Sequence, residues 1–121
     1  MRAALQVHGA LSRGVFAVVV LVSLAVLFAP ADDVPSAPPG VDKIVHAGLF
    51  AALALSGRWA GTGHRVLAGL LVLYAAVSEV IQGVTSLNRS ASPADWLADV
   101  AGLLLGLALW QAVSRRREPA A

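Results

Sequence analysis

Glu79 and His46 are the residues of this 121-residue sequence best suited to move a proton. Glu79 is the only charge in the 23 residues between Arg65 and Arg89, and no basic residue stands four positions to either side of it. An acid in such apolar surroundings costs several kcal/mol unless it is paired or protonated, so it marks a site by default. His46 carries the side chain that titrates nearest neutrality. One turn before His46 stands Asp42, followed by Lys43; Asp95 and Asp99 are one turn apart, and Gln82 lies one turn beyond Glu79, with Arg89 just past it. Glu79 and His46 fit general acid–base chemistry. Lys43 and Arg89 fit the holding of phosphate or carboxylate groups.

Each neighbour also has a structural explanation. Asp42 reads equally as a helix N-cap. Ser92-Pro93-Ala94-Asp95 is a capping box with proline at the first helical position. Lys43 can simply snorkel to an interface, and Gln82 can serve as interhelical hydrogen-bonding glue. Asp99 has no capping role. Fully ionised, Asp42, Glu79, Asp95 and Asp99 against Lys43 and Arg89 leave an excess of about two negative charges in a poorly hydrated place. A protonated His46, a carboxyl that keeps its proton, or a bound cation would relieve it. There is no cysteine and no pair of histidines at i, i+4, so neither a metal nor a cofactor is expected from the sequence.

The elements that position these groups follow from composition. Hydrophobic residues make up 58% before the 11 glycines are added, against about 45–50% with glycine included in a soluble domain. Charged residues number 16, as 9 Lys plus Arg and 7 Asp plus Glu. A soluble domain of this size has too much surface for so few polar groups. Disorder is excluded by the apolar content, and a disulfide scaffold by the missing cysteines. With net charge +2 and no interleaving of basic and aromatic residues, nucleic-acid binding has no support. A membrane protein remains, with the lipid bilayer as its partner.

Charge positions divide the chain. Eighteen uncharged residues separate Arg13 from Asp32, 14 separate Lys43 from Arg58, and 15 separate Asp99 from Arg115. A spanning helix takes about 20 apolar residues. The expectation is a single all-α domain over 1–121, a bundle of four transmembrane helices at about 14–30, 43–61, 65–86 and 94–113. The second is the shortest and needs Arg58 to snorkel beside Trp59. The Pro- and Gly-rich stretch 31–41 reads as a connector. The first helix has a rival reading as a signal peptide ending at Ala29-Pro30-Ala31, although a middle proline makes a poor cleavage site.

Arg2, Arg13, Arg58, Arg65 and Arg115-Arg116-Arg117 place both termini and the middle loop in the cytoplasm. Glu79, 14 residues beyond Arg65, then lies about 21 Å from the inner surface, in the outer third of a core about 30 Å thick. His46, Asp42, Lys43, Gln82, Arg89, Asp95 and Asp99 reach the same outer depth. Gly102-x-x-x-Gly106, with Ala98 one turn earlier, is a small-residue stripe suited to tight helix packing or to association between copies.

Asp42-Lys43-Ile44-Val45-His46 resembles the opening D-K-x-x-H motif of VanZ-like membrane proteins. Glu79-x-x-Gln82, Asn88-Arg89-Ser90-Ala91-Ser92 and Asp95-x-x-Ala98-Asp99-x-x-Gly102 follow in the family's order, so the resemblance covers residues 42–110. The family usually has asparagine where this chain has Asp99. What the resemblance implies is a bacterial plasma-membrane protein with a site at Asp42, Lys43, His46, Glu79, Gln82, Arg89, Ser90, Asp95 and Asp99. The founding member is associated with low-level resistance to the glycopeptide teicoplanin. Three functions stay open: binding of, or action on, an envelope lipid or lipid-linked precursor; a non-catalytic scaffold; and proton or cation transport. The absence of polar steps in the inner half of the spans weighs against transport.

Overall fold

The computed structural model describes residues 9–28, 40–84 and 93–117. Among these the chain is all-helical: α1 Ala10–Leu27, α2 Val41–Trp59, α3 His64–Val84 and α4 Pro93–Arg117. The four expected helices are present with shifted ends. α1 begins before Arg13 and α4 runs through the three arginines, because charge marks the edge of the apolar stretch, whereas the helix ends where hydrogen bonding ends. The Ala29-Pro30-Ala31 segment and most of the proline-rich connector lie outside the described residues.

Three stretches are long and apolar enough to cross a membrane: Ala10–Leu27, His64–Ile81 and Pro93–Ser114. α2 is not among them. Asp42, Lys43 and Arg58 leave it 14 uncharged residues, about 21 Å of helix. It packs most extensively on α4 and also meets α1 and α3. The exposed large apolar side chains of α2 are confined to Val41, Ile44 and Val45 at its start. α3, in contrast, exposes Val66, Leu70, Leu73, Val77 and Val80, a stripe at helical spacing turned away from the bundle. Such an outward apolar stripe suits lipid as its neighbour.

The core joins Phe50, Leu53 and Ala54 of α2 to Leu67, Leu71 and Ala75 of α3, Leu103 of α4 and Leu27 of α1. Phe50 and Tyr74 rings lie 5.7 Å apart. The Tyr74 hydroxyl shares a 2.9 Å hydrogen bond with Ser23 Oγ, which ties α3 to α1. Ser12, Ser23, Ser56, Ser78 and Ser114 each donate to a carbonyl three or four residues back. Hydroxyls satisfied within their own helix need no water, as an apolar solvent requires.

Two backbone approaches set the α2–α4 packing. A Cβ at Gly102 would collide with the carbonyl of Ala47. One at Gly106 would lie 2.6 Å from the Ala51 oxygen and 2.8 Å from the Ala54 Cβ. The Gly102–Gly106 stripe is therefore packed against α2 within the chain, the tight helix packing that the sequence offers as one of its two uses. The pairings His46 with Asp99, Ala47 with Gly102 and Ala51 with Gly106 ascend together, so α2 and α4 run parallel. Phe50 beside Tyr74 and Gly57 beside Leu67 descend, so α3 runs against α2.

The α2–α3 turn closes through Thr62 N–H to Gly57 O and Gly61 N–H to Arg58 O, both 3.0 Å, with Gly61 at φ +102°. This is a Schellman-type end, and the left-handed position accounts for the glycine. Arg58 Nη1 donates to the Thr62 carbonyl at 2.7 Å, so its charge does reach the end of the helix. At the other end of α2 the N-cap is Gly40, at φ +90°, and Asp42 lies inside the helix. The N-cap reading of Asp42 is thereby corrected.

Candidate functional site

The parallel course of α2 and α4 brings their first turns side by side, and the antiparallel α3 delivers its last turns to the same end. His46 sits one turn into α2, Asp95 and Asp99 occupy the first and second turns of α4, and Glu79 lies near the end of α3. One ligand-type atom from each of His46, Glu79 and Asp99 falls within 4.8 Å of the others. All three are buried, at 3%, 5% and 0% exposure. Three segments far apart in sequence thus meet at one end of the bundle, as the depth argument expects.

The best-defined contact joins His46 Nδ1 to Asp99 Oδ1 at 2.7 Å. Asp99 Oδ2 is also buried and has no hydrogen-bond partner among the described residues. On the opposite edge of the imidazole, His46 Nε2 is 4.0 Å from Asp95 Oδ2. Asp95 Oδ1 in turn meets Lys43 Nζ at 2.5 Å, and Lys43 remains 39% exposed. The result is a chain of charged and titratable groups, Asp99–His46–Asp95–Lys43, that runs from the interior to the surface. Asp95 also lies in the first turn of α4, where the helix dipole favours a carboxylate.

An imidazole that donates Nδ1–H to a carboxylate keeps Nε2 free to accept a proton or to bind a metal. Glu79 adds a second acid, with a carboxylate oxygen within 4.8 Å of ligand atoms of His46 and Asp99. Trp96, next to Asp95, packs against the core with its indole N–H buried and unbonded among the described residues. Composition did not single out this tryptophan; its adjacency to Asp95 was the one available signal.

The structure therefore gathers Lys43, His46, Glu79, Asp95 and Asp99. Asp42 and Gln82 fall on α2 and α3 at this end, but their side chains lie outside what the structure describes. Arg89 and Ser90 are outside the described residues altogether. The capping-box serine, Ser92, is outside them as well, while Pro93 does open α4 as expected.

No family model, no curated protein and no solved structure matches the chain.

Proposed function

We propose that this chain is a multi-pass, VanZ-like protein of a bacterial plasma membrane that binds the head group of an envelope lipid or lipid-linked precursor. In this reading both termini are cytoplasmic, α2 completes a four-span bundle, and the polar cluster opens to the extracytoplasmic face. His46 and Glu79 exchange the proton, while Lys43, Asp95 and Asp99, together with Asp42, Gln82, Arg89 and Ser90, form the binding surface. Through such a lipid the protein would alter susceptibility to glycopeptides such as teicoplanin.

The observation that carries the reading is the buried Asp99–His46 pair, with Nδ1 and Oδ1 2.7 Å apart. It supports a base oriented by a carboxylate, an arrangement that acid–base sites use to fix the imidazole tautomer. Lys43 sits at the exposed end of the same chain of charges, where it can release Asp95 and take a phosphate. The acidic neighbours favour a head group that also carries an amine.

The test is titration of the purified chain in nanodiscs with phosphate-bearing lipids, with and without a free amine. Saturable binding that weakens in Lys43→Ala and His46→Ala is expected. No binding, or binding unchanged in both variants, overturns the reading.

A scaffold role is favoured by one observation, the direct seating of Gly102 and Gly106 on the α2 backbone. Glu79→Gln separates the two: a scaffold keeps its phenotype when the charge is removed and the shape is kept, and a proton-transfer site does not.

A further inference from the structure

We infer that His46, Glu79 and Asp99 form a binding site for a divalent transition-metal cation, with zinc as the best-fitting ion. The inference rests on the reading of this cluster as a functional site, and it names what the cluster holds.

Geometry comes first. One donor atom from each residue lies within 4.8 Å of the other two. Ligands placed about 2.0–2.2 Å from a tetrahedral ion stand about 3.3–3.6 Å apart, so closure needs a contraction of at most about 1.5 Å, within the reach of side-chain rotations. The donor set is one imidazole nitrogen and two carboxylate oxygens. That set suits Zn²⁺, and three protein ligands leave a fourth position open, the arrangement of zinc sites that act on a substrate.

A second observation points to a ligand independently of the cluster. Asp99 is completely buried, and its Oδ2 accepts no hydrogen bond from the described residues. A buried carboxylate oxygen left without a donor is costly, and a cation satisfies it directly. Charge balance agrees. Glu79 and Asp99 are two buried acids with ligand atoms within 4.8 Å of each other and of His46. A divalent ion offsets both carboxylates at once.

The site is also rigid where it needs to be. Gly102, three residues past Asp99, lies directly on the backbone of Ala47, the residue after His46. Two ligands are thus carried by helices in backbone contact, which fixes their separation. The cation would also remove the obstacle that an acidic pocket presents to an anionic head group, because its open position takes a phosphate oxygen.

The experiment uses the full chain in nanodiscs of phosphatidylethanolamine and phosphatidylglycerol, stripped with chelator and equilibrated separately with Zn²⁺ and Mn²⁺. Bound metal is counted by elemental analysis, and affinity is read by competition with a chromophoric chelator. About one Zn²⁺ per chain is expected. His46→Ala and Glu79→Gln should lose it, whereas the double variant His8→Ala/His64→Ala should keep it. Stoichiometry well below one ion in the wild-type chain, or retention in Glu79→Gln, overturns the inference. Should the variants not fold, X-ray absorption of the wild-type chain decides. A single imidazole with oxygen ligands supports the site, and a shell with two or more imidazoles or oxygen alone rejects it. Metal loss without change in the Glu79-dependent phenotype would remove the metal and leave the proposed function standing; metal retained without any such phenotype would do the reverse.

Discussion

His46 and Asp99, 53 positions apart in sequence, face each other through Nδ1 and Oδ1 at 2.7 Å inside the bundle. Neither is exposed enough for water to replace the other, so each determines the other's charge state and orientation. Removal of one partner therefore differs in kind from removal of both.

His46→Ala leaves a buried carboxylate without its donor and should cost about 3–5 kcal/mol of stability. The double variant His46→Leu/Asp99→Leu should recover a large part of that loss, because no charge is left stranded. Unfolding in mild detergent, followed by helical circular dichroism, gives both values. Equal losses in the single and double variants would show that the pair is not coupled.

Lys43 and Asp95 make the opposite case. Their ion pair reaches the surface, with Lys43 39% exposed, and exposed pairs contribute about 0–1 kcal/mol. Lys43→Ala should thus leave the melting temperature almost unchanged while lipid binding falls. A large destabilisation would indicate that Lys43 serves the fold.

Gly102→Ala forces a methyl group against the Ala47 carbonyl. Overpacking of this kind costs about 1–3 kcal/mol. Gly69→Ala, on α3 with nothing within 4 Å of the added Cβ, should be neutral or stabilising by about 0.5–1 kcal/mol. The same thermal measurement compares them, and similar shifts would contradict the close α2–α4 contact.

Much of this architecture was legible in the spacing of charge. Uncharged stretches between Arg13, Asp32, Lys43, Arg58, Arg65 and Arg115 located the helices, and counting turns from Arg65 and from Asp95 placed Glu79 and Asp99 at one end. Pairing was not legible, since depth says nothing of azimuth: Asp95 and Asp99 were equally eligible for His46, and Lys43 for any acid. The role of Gly102 and Gly106 was likewise open, because a small-residue stripe fits a neighbouring helix of the same chain as well as one from another copy. α2 was the weakest of the expected spans, and it is the helix that packs against the other three.

Topology has a direct assay, because the sequence contains no cysteine and single cysteines can be introduced without background. A cysteine at Gly63, in the α2–α3 turn, should react with a membrane-impermeant thiol reagent only after the cell is opened. A cysteine at Ala37, in the α1–α2 connector, should react in intact cells. The reverse pattern would invert the proposed orientation and place the cluster on the cytoplasmic side.

The proposed function requires that the cluster act chemically rather than only hold the helices together. Its most direct test is complementation of the envelope phenotype of a deletion strain by Glu79→Gln at verified membrane expression. A folded, correctly inserted protein that fails to complement is expected. Full complementation by Glu79→Gln at equal expression would contradict the proposed function.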